Sequence, residues 1–274
     1  MATIVRAADP IEAVVARIPS IRRWYRPVVL GLVALMGMVL VEVAAFRWET
    51  AKALGVVGID FDTVRATAQR FLDTGSMYLP SQVSGRFNAE PLPHVPALMP
   101  SMYPPVAIYL FAPFLWLPAI LWWAVPLGIL GWAFVRWRPA AWTWPLFAGI
   151  LIFSQFIYSV IVGGTAMWIA AFVAAGLRWG WGGALVLLKP SLAPFAILDG
   201  RRRTWWICLG LLCVLSIPLI GQWLAYREVV ANADVRLDYS LPTVPVLLMP
   251  VIAYIGRTRI HVGSDPVADS TEPG

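Results

Sequence analysis

Charged residues are scarce in this chain of 274 residues. Aspartate, glutamate, lysine and arginine make up 13% of it, whereas 59% is hydrophobic and the mean hydropathy is +0.72. A soluble domain carries about 25% charged residues. Half that density, with apolar runs near the ~20 residues that cross a bilayer, predicts an all-α, polytopic membrane protein.

Cysteine and nucleotide-binding signatures are also sparse. Cys208 and Cys213 are the only cysteines, and both fall inside one apolar segment, so neither a disulfide framework nor a metal site is predicted. The sequence has no phosphate-loop, dinucleotide-binding, zinc or nucleophile-elbow pattern. The basic residues behind the net charge of +6 lie beside apolar segments, which indicates membrane lipids and not nucleic acid as partners.

The amino terminus lacks the pattern of a cleavable signal, because Asp9, Glu12 and five arginines precede the first apolar run. We therefore expect the first helix to stay as an anchor. Residues 1–26 are predicted to be a cytoplasmic juxtamembrane segment and the polar residues 258–274 a disordered cytoplasmic tail. A single transmembrane domain is expected over 27–257.

Eight apolar segments are predicted to cross the membrane, which makes the fold a helical bundle. The first is 27–46, and the others are 104–117, 118–135, 142–162, 165–178, 180–198, 204–223 and 241–256. A long outer loop, 47–102, separates the first two. Its second half is rich in proline, so we expect an amphipathic helix followed by an irregular stretch.

The amphipathic helix is predicted over 58–75, where one face is apolar and the opposite face carries Asp62 and Arg65. Such a helix lies in the plane of the membrane interface. The spacing favours Asp60 as an N-cap and Asp62 as a first-turn acid. A carboxylate held at the interface can also be a general base toward a lipid-linked substrate, since burial would raise its pKa.

Four further residues are candidates for substrate binding. Lys189 is the only lysine within a predicted span. A charge at that depth costs about 2.5–3.5 kcal/mol, so it predicts a functional site that would suit a phosphate or a carboxylate such as Glu42. The alternative is that both side chains snorkel to an interface. Tyr103 is either a substrate contact or a member of the aromatic belt, and His94 is a weaker candidate.

Four short motifs follow one another along the chain: Asp60-Phe61, Tyr103-Pro104-Pro105, Leu117-Pro118 and Leu188-Lys189-Pro190. In this order they resemble the GT-C glycosyltransferases, and most closely the bacterial polyprenol-phosphate-mannose-dependent α-mannosyltransferases. The resemblance covers about residues 27–203, roughly two thirds of the chain.

The resemblance implies an inverting transferase of the bacterial inner membrane. It would move a sugar, mannose by the closest likeness, from a polyprenyl-phosphate donor to a glycolipid or glycan acceptor on the extracytoplasmic face, with no metal or other cofactor. Asp60 would be the general base. A cationic side chain would assist the phosphate leaving group, and the candidates are Lys189, Arg227 and Arg236. The remaining candidates for substrate contact are Asp62, Tyr103, His94 and Glu42.

Two departures from the family pattern support an alternative function. Family members are commonly longer, and many carry Gly-Gln or Gly-Asn where this chain has Gly163-Gly164-Thr165. The chain could then be a non-catalytic membrane protein of the same fold, such as an assembly factor or a subunit of a lipid-linked-sugar flippase.

The distribution of arginine predicts that both termini are cytoplasmic and that 47–102 is outside. With eight crossings, five short-loop arginines lie outside and ten lie inside, the latter being Arg6, Arg17, Arg22, Arg23, Arg26, Arg201, Arg202, Arg203, Arg257 and Arg259. We expect Ser84→Cys to react with an impermeant thiol reagent in intact cells and Ser270→Cys to be protected. The opposite labelling pattern would refute this orientation.

Overall fold

The computed structural model describes residues 4–6, 19–87, 99–153, 155–234, 241–258 and 260–262. Most of these residues are helical, which confirms the all-α prediction. The predicted tail beyond residue 262, together with His94 and Arg236, lies outside the described residues.

The helices follow one another in the order α1 Pro19–Ala53, α2 Ile59–Thr74, α3 Pro80–Ser84, α4 Ile108–Phe111, α5 Leu121–Trp137, α6 Thr143–Phe153, α7 Phe156–Val162, α8 Ala166–Trp179, α9 Trp181–Leu185, α10 Arg203–Ser216, α11 Ile220–Asn232 and α12 Val244–Ile255. Short 3-10 segments join or flank several of them, at Pro105–Ala107, Ala112–Leu115, Val186–Leu188, Pro190–Asp199 and Ile217–Leu219. Strands β1 (Ile4–Arg6) and β2 (Ile260–Val262) pair antiparallel, which brings the two ends of the described chain together.

Among the described residues, two stretches are long and apolar enough to cross a membrane: Arg23–Ala53 and Arg203–Asn232. A third is formed if α6 and α7, which meet at a bend of 54°, count as one broken span. Almost none of the residues in the two long stretches are buried against the rest of the protein. Their apolar surfaces are therefore available to lipid, as expected of a helical membrane protein.

One end of the helix bundle gathers the start of α2, Tyr103 and the turn 163–165, and we call it the Asp60 end. The Gly58 amide donates to the Ile161 carbonyl oxygen over 3.0 Å, and the Tyr103 hydroxyl lies 2.8 Å from the Thr165 hydroxyl. The last residue of α11, Asn232, also reaches this end, since its side-chain amide donates to the carbonyl oxygen of Val83 in α3.

The opposite end gathers residues 177–179 and 199–204, and we call it the Arg201 end. Arg202 donates to the Leu177 carbonyl oxygen over 3.1 Å, and Thr204 donates to the Trp179 carbonyl oxygen over 2.8 Å. These bonds satisfy carbonyl groups that the last turn of α8 leaves without helical partners. Helix α8 therefore runs from the Asp60 end to the Arg201 end.

Helix α5 runs in the same direction as α8. Near its start, the Trp122 indole donates to the Gly163 carbonyl oxygen over 2.7 Å, and near its end the Trp132 ring stacks on Trp179 at 5.0 Å. In the turn that follows α5, the Ala140 amide donates to the carbonyl oxygen of Gly256, just after α12. The loops after α5 and after α12 therefore both lie at the Arg201 end.

Two of the eight predicted crossings have a different form in the structure. The segment 105–115 is a short α-turn between two 3-10 turns. Its prolines prevent one regular helix. The segment 181–199 leaves the Arg201 end and returns to it. The structure thus places Arg136, Arg138 and Arg178 at the same end as Arg201.

Labelling at Arg136 distinguishes the two arrangements. Eight crossings put Arg136 outside, whereas the structure places it with Arg201. In a protein carrying Cys208→Ala and Cys213→Ala, we expect Arg136→Cys to behave like Arg201→Cys: protected in intact cells and labelled after permeabilisation. Ser84→Cys is the accessible control. Labelling of Arg136→Cys in intact cells would contradict the arrangement described here.

Candidate functional site

Helix α2 starts one residue before Asp60. Gly58 precedes the helix in the left-handed conformation, with φ of 74°, and no side chain caps the helix. The interpretation of Asp60 as an N-cap is therefore wrong. Because Gly58 has no Cβ atom, it adopts this conformation and turns the chain into the helix at no steric cost. The Asp60 carboxylate lies in the first turn, where the helix dipole favours a negative charge.

The two faces of α2 are those that the sequence predicts. Phe61, Val64 and Ala68 are buried, whereas Asp62 and Arg65 are exposed. The Phe61 ring lies 5.6 Å from Trp122 and 5.2 Å from Trp123, and these two rings belong to the first turn of α5. This aromatic contact fixes the position of the neighbouring residue, Asp60.

The turn 163–165 approaches α2 closely because it has no side chains at two positions. A Cβ atom at Gly163 would lie 2.8 Å from Phe61 Cβ. A Cβ atom at Gly164 would lie 2.5 Å from Ser159 Oγ and 3.1 Å from Asp60 Oδ2. Ser159 and Asp60 therefore present oxygen atoms to the same small space beside Gly164.

Lys189 reaches this site from the tip of a hairpin. The hairpin starts at Gly180, ascends through α9 and a 3-10 turn, breaks at Lys189, and returns through the 3-10 segment Pro190–Asp199. Its base is fixed at the Arg201 end, where the Trp205 indole donates to the Ala196 carbonyl oxygen over 2.7 Å. The tip lies close enough to Asp60 for the two charges to interact.

The hairpin lies close along α8 because glycines face each other. A Cβ atom at Gly176 would lie 2.7 Å from the Gly183 amide nitrogen and 2.8 Å from an Asp199 carboxylate oxygen. Both arms of the hairpin therefore pack against one position of α8. This contact directs the tip along α8 toward the Asp60 end.

We call the small space bordered by Asp60, Ser159 and Gly164 the Asp60 recess. The side chain is exposed, yet protein atoms crowd around its carboxyl group. This burial raises the pKa of Asp60 from the usual 3.8 to about 6, and the positive charge of Lys189 limits the rise. A carboxyl group with a pKa near working pH, still reachable by a substrate, is suited to proton transfer.

Tyr103 lies inside the bundle next to this recess. Its hydroxyl group bonds to Thr165, its ring packs edge-on against Phe111 at 5.0 Å, and its carbonyl oxygen accepts a bond from the Tyr78 hydroxyl over 2.8 Å. These contacts place Tyr103 beside the turn 163–165 and not among the lipid-facing aromatic residues.

The other predicted residues are more dispersed. Asp62 is exposed on the polar face of α2, and Glu42 is exposed on α1. Asp60 is a charged group that interacts with Lys189. Arg227 is exposed on α11 and pairs with Glu228 over 2.8 Å. The structure thus brings Asp60, Lys189 and Tyr103 to one end of the bundle.

Sequence reasoning missed Tyr158 and Ser159 on α7. Tyr158 interacts electrostatically with Asp60, and Ser159 faces the space beside Gly164. The Gly163-Gly164 pair was a signal that some element approaches closely, but nothing in the sequence identified that element as α2.

No group of three or more histidine, cysteine, aspartate or glutamate side chains within the described ranges could hold a metal ion. Comparisons with protein-family models, curated proteins and solved structures find no match to this chain. The functional argument therefore depends on the site itself.

A methyl group at Gly164 should disrupt the recess. We expect Gly164→Ala to lower the free energy of unfolding by about 1–3 kcal/mol, because its Cβ atom would overlap Ser159 and press on Asp60. Gly128→Ala in α5 is the matched control, since no atom lies within 4 Å of that Cβ position and alanine gains up to about 1 kcal/mol in a helix. Thermal unfolding in detergent measures both, and equal midpoints would contradict the close approach at Gly164.

Proposed function

We propose that this chain is a membrane glycosyltransferase that uses a polyprenyl-phosphate sugar as donor. The sugar, mannose by the resemblance described above, would pass to a hydroxyl group of a glycolipid or glycan acceptor on the extracytoplasmic face of the bacterial inner membrane. The observation that carries the proposal is that Lys189, at the tip of the hairpin, lies close enough to Asp60 for their charges to interact, although the two residues are far apart in sequence. A base and a cation together are what this transfer requires.

Asp60 would act as the general base. Its carboxylate takes the proton of the acceptor hydroxyl while the hydroxyl oxygen attacks the anomeric carbon of the donor. The bond from that carbon to the phosphate oxygen breaks, and its electron pair stays with the phosphate. The products are the inverted glycoside, polyprenyl phosphate and a protonated Asp60. The lipid-phosphate sugar is a co-substrate, and no other cofactor enters the balance.

Lys189 would stabilise the phosphate leaving group. Charge on the phosphate oxygens grows as the glycosidic bond breaks, and an ammonium group positioned nearby in a partly dehydrated site stabilises that charge most in the transition state. Arg227 and Arg236 remain candidates to contact the same phosphate. Tyr103 would position the sugar through its hydroxyl group.

The direction of the chain in the membrane supports an extracytoplasmic site. If the other six predicted segments cross the membrane and 105–115 and the hairpin do not, the short-loop arginines outside are Arg227 and Arg236. The thirteen inside are Arg6, Arg17, Arg22, Arg23, Arg26, Arg136, Arg138, Arg178, Arg201, Arg202, Arg203, Arg257 and Arg259. This asymmetry supports a cytoplasmic position for the Arg201 end and both termini. The Asp60 end would then face out.

Replacing the base tests the proposal directly. We expect Asp60→Asn to lower transfer from radiolabelled polyprenyl-phosphate mannose to a membrane lipid extract by about 10²-fold or more. Asparagine keeps the size of the side chain and no cap is lost, so the protein should fold normally. Asp62→Asn, two residues along and exposed, is the matched control and should retain activity.

Near wild-type transfer by Asp60→Asn with an inactive Asp62→Asn would mean that the base is Asp62. If neither the wild type nor either folded variant transfers sugar, the non-catalytic alternative is favoured.

The pH dependence should report the Asp60–Lys189 pair. Only the carboxylate form of Asp60 accepts a proton, so kcat/KM should rise with pH through about 6. Lys189 lowers the pKa of Asp60, so Lys189→Met should move this rise to higher pH. The Lys189→Met variant should weaken donor binding substantially and lower the unfolding midpoint only slightly. An unchanged pH profile in Lys189→Met would show that the two groups are not coupled.

A further inference from the structure

An apolar cavity of about 310 Å³ lies between α5, α6, α8 and α12, where α6 bends toward α7. Its walls include Leu127, Phe134, Phe147 and Phe156, and no charged side chain contributes to them. Its size is at the lower limit of typical ligand sites. A cavity without polar partners does not hold water well but accepts hydrocarbon.

The cavity opens on the side of the bundle. Gly131 and Trp144 belong to its lining and are exposed. The surface around this opening is apolar as well, since Val135 and Leu146 are exposed on the same two helices. In a membrane this opening would face the hydrocarbon layer, so a lipid chain could enter from the bilayer without passing through water.

The cavity begins about one helical turn from the Asp60 recess. Phe156 stands three residues before Ser159, which faces the space beside Asp60. Leu127 stands one turn after Trp123, whose indole donates to the Val160 carbonyl oxygen over 2.7 Å. From there the cavity extends along α5 toward Phe134, about 10 Å at 1.5 Å per residue. It therefore lies below the recess, toward the Arg201 end.

We propose that this cavity binds the isoprenoid tail of the lipid phosphate whose head group meets Lys189. The assignment rests on the proposed function and identifies the part of the protein that would select the donor lipid. A phosphate at the Asp60 end requires its chain to continue into the bilayer, and the cavity lies along that path. A polyprenyl phosphate joins one chain to one phosphate, which matches one apolar cavity beside one cationic site, whereas a phospholipid brings two chains.

Two glycines of α5 provide a matched pair of variants. Gly131 lines the cavity, and no atom lies within 4 Å of the position of its Cβ. The Cβ atom of a leucine there would meet no protein atom, and the rest of the side chain would reduce the space in the cavity. Gly128, one turn earlier, is equally open and exposed but does not line the cavity. Gly131→Leu and Gly128→Leu therefore differ in cavity volume while sharing the same gain in helix propensity.

The test is binding of two isoprenyl phosphates to the full chain in lipid nanodiscs. One probe has a long polyprenyl chain, and the other has two isoprene units and is water-soluble. We expect Gly131→Leu to weaken binding of the long probe by about tenfold or more, because buried methylene groups supply much of its affinity. Binding of the short probe should be unchanged, and Gly128→Leu should match the wild type for both probes. Unfolding midpoints identify a variant that fails to fold.

Photolabelling of the wild type provides a readout that needs no variant. A long-chain isoprenyl phosphate with a diazirine in its tail should label α5 between Leu127 and Phe134, and unlabelled polyprenyl phosphate should compete. Equal labelling by a diazirine phospholipid, without such competition, would show that bulk lipid fills the cavity and would overturn the proposal. Equal binding of the long probe by both glycine variants would also overturn it.

The failure of this inference is distinguishable from failure of the proposed function. If the protein transfers sugar but binds the long probe independently of Gly131, the tail assignment is wrong and the transferase stands. If the long probe binds in a Gly131-dependent manner but no transfer occurs, the cavity assignment stands and the catalytic proposal is wrong.

Discussion

The docking of α2 onto the turn 163–165 is the contact on which the site depends. Gly58 turns the chain and donates to Ile161, and Phe61 packs closely against Gly163, which has no side chain. Only with this approach does the carboxylate of Asp60 lie beside Ser159 and within the field of Lys189. If α2 lay at the interface without contacting the turn 163–165, Asp60 would be in bulk water and nothing would raise its pKa.

The site also requires a cation near Asp60, and the hairpin brings Lys189 there through an apolar bundle. Burying either charge alone is costly, and breaking a buried pair leaves one charge uncompensated. In this protein the carboxylate remains reachable from outside, so the pair is not sealed and Asp60 keeps a pKa of about 6. That intermediate state suits a group that must exchange a proton and then release it, which a strongly stabilised ion pair would not allow.

The sequence predicted periodic features well and chain paths poorly. The apolar face of α2 follows from spacing, because Phe61, Val64 and Ala68 recur at helical intervals. Hydropathy measures apolar length but cannot distinguish a segment that crosses from one that returns, so 104–117 and 180–198 were predicted as spans. Pro190 signalled a break in the helix, but the glycine contacts that fold the chain back are tertiary. The sequence also could not identify the carboxylate that interacts with Lys189, since Glu42 and Asp60 are equally plausible until the helices are placed.

The hairpin links the orientation of the protein in the membrane to the chemistry of the site. Its base lies beside Arg202, which satisfies the end of α8, and its tip carries Lys189. The arginines of the Arg201 end, which lie in the cytoplasm under the proposed orientation, therefore also fix the starting point of the arm that presents the cation. Because the hairpin packs on α8 through Gly176 and Gly183, the distance from its base to its tip is set by rigid helical segments. Under the proposed orientation, the height of Lys189 in the bilayer is thus determined from the cytoplasmic side, although its charge acts at the opposite end of the bundle.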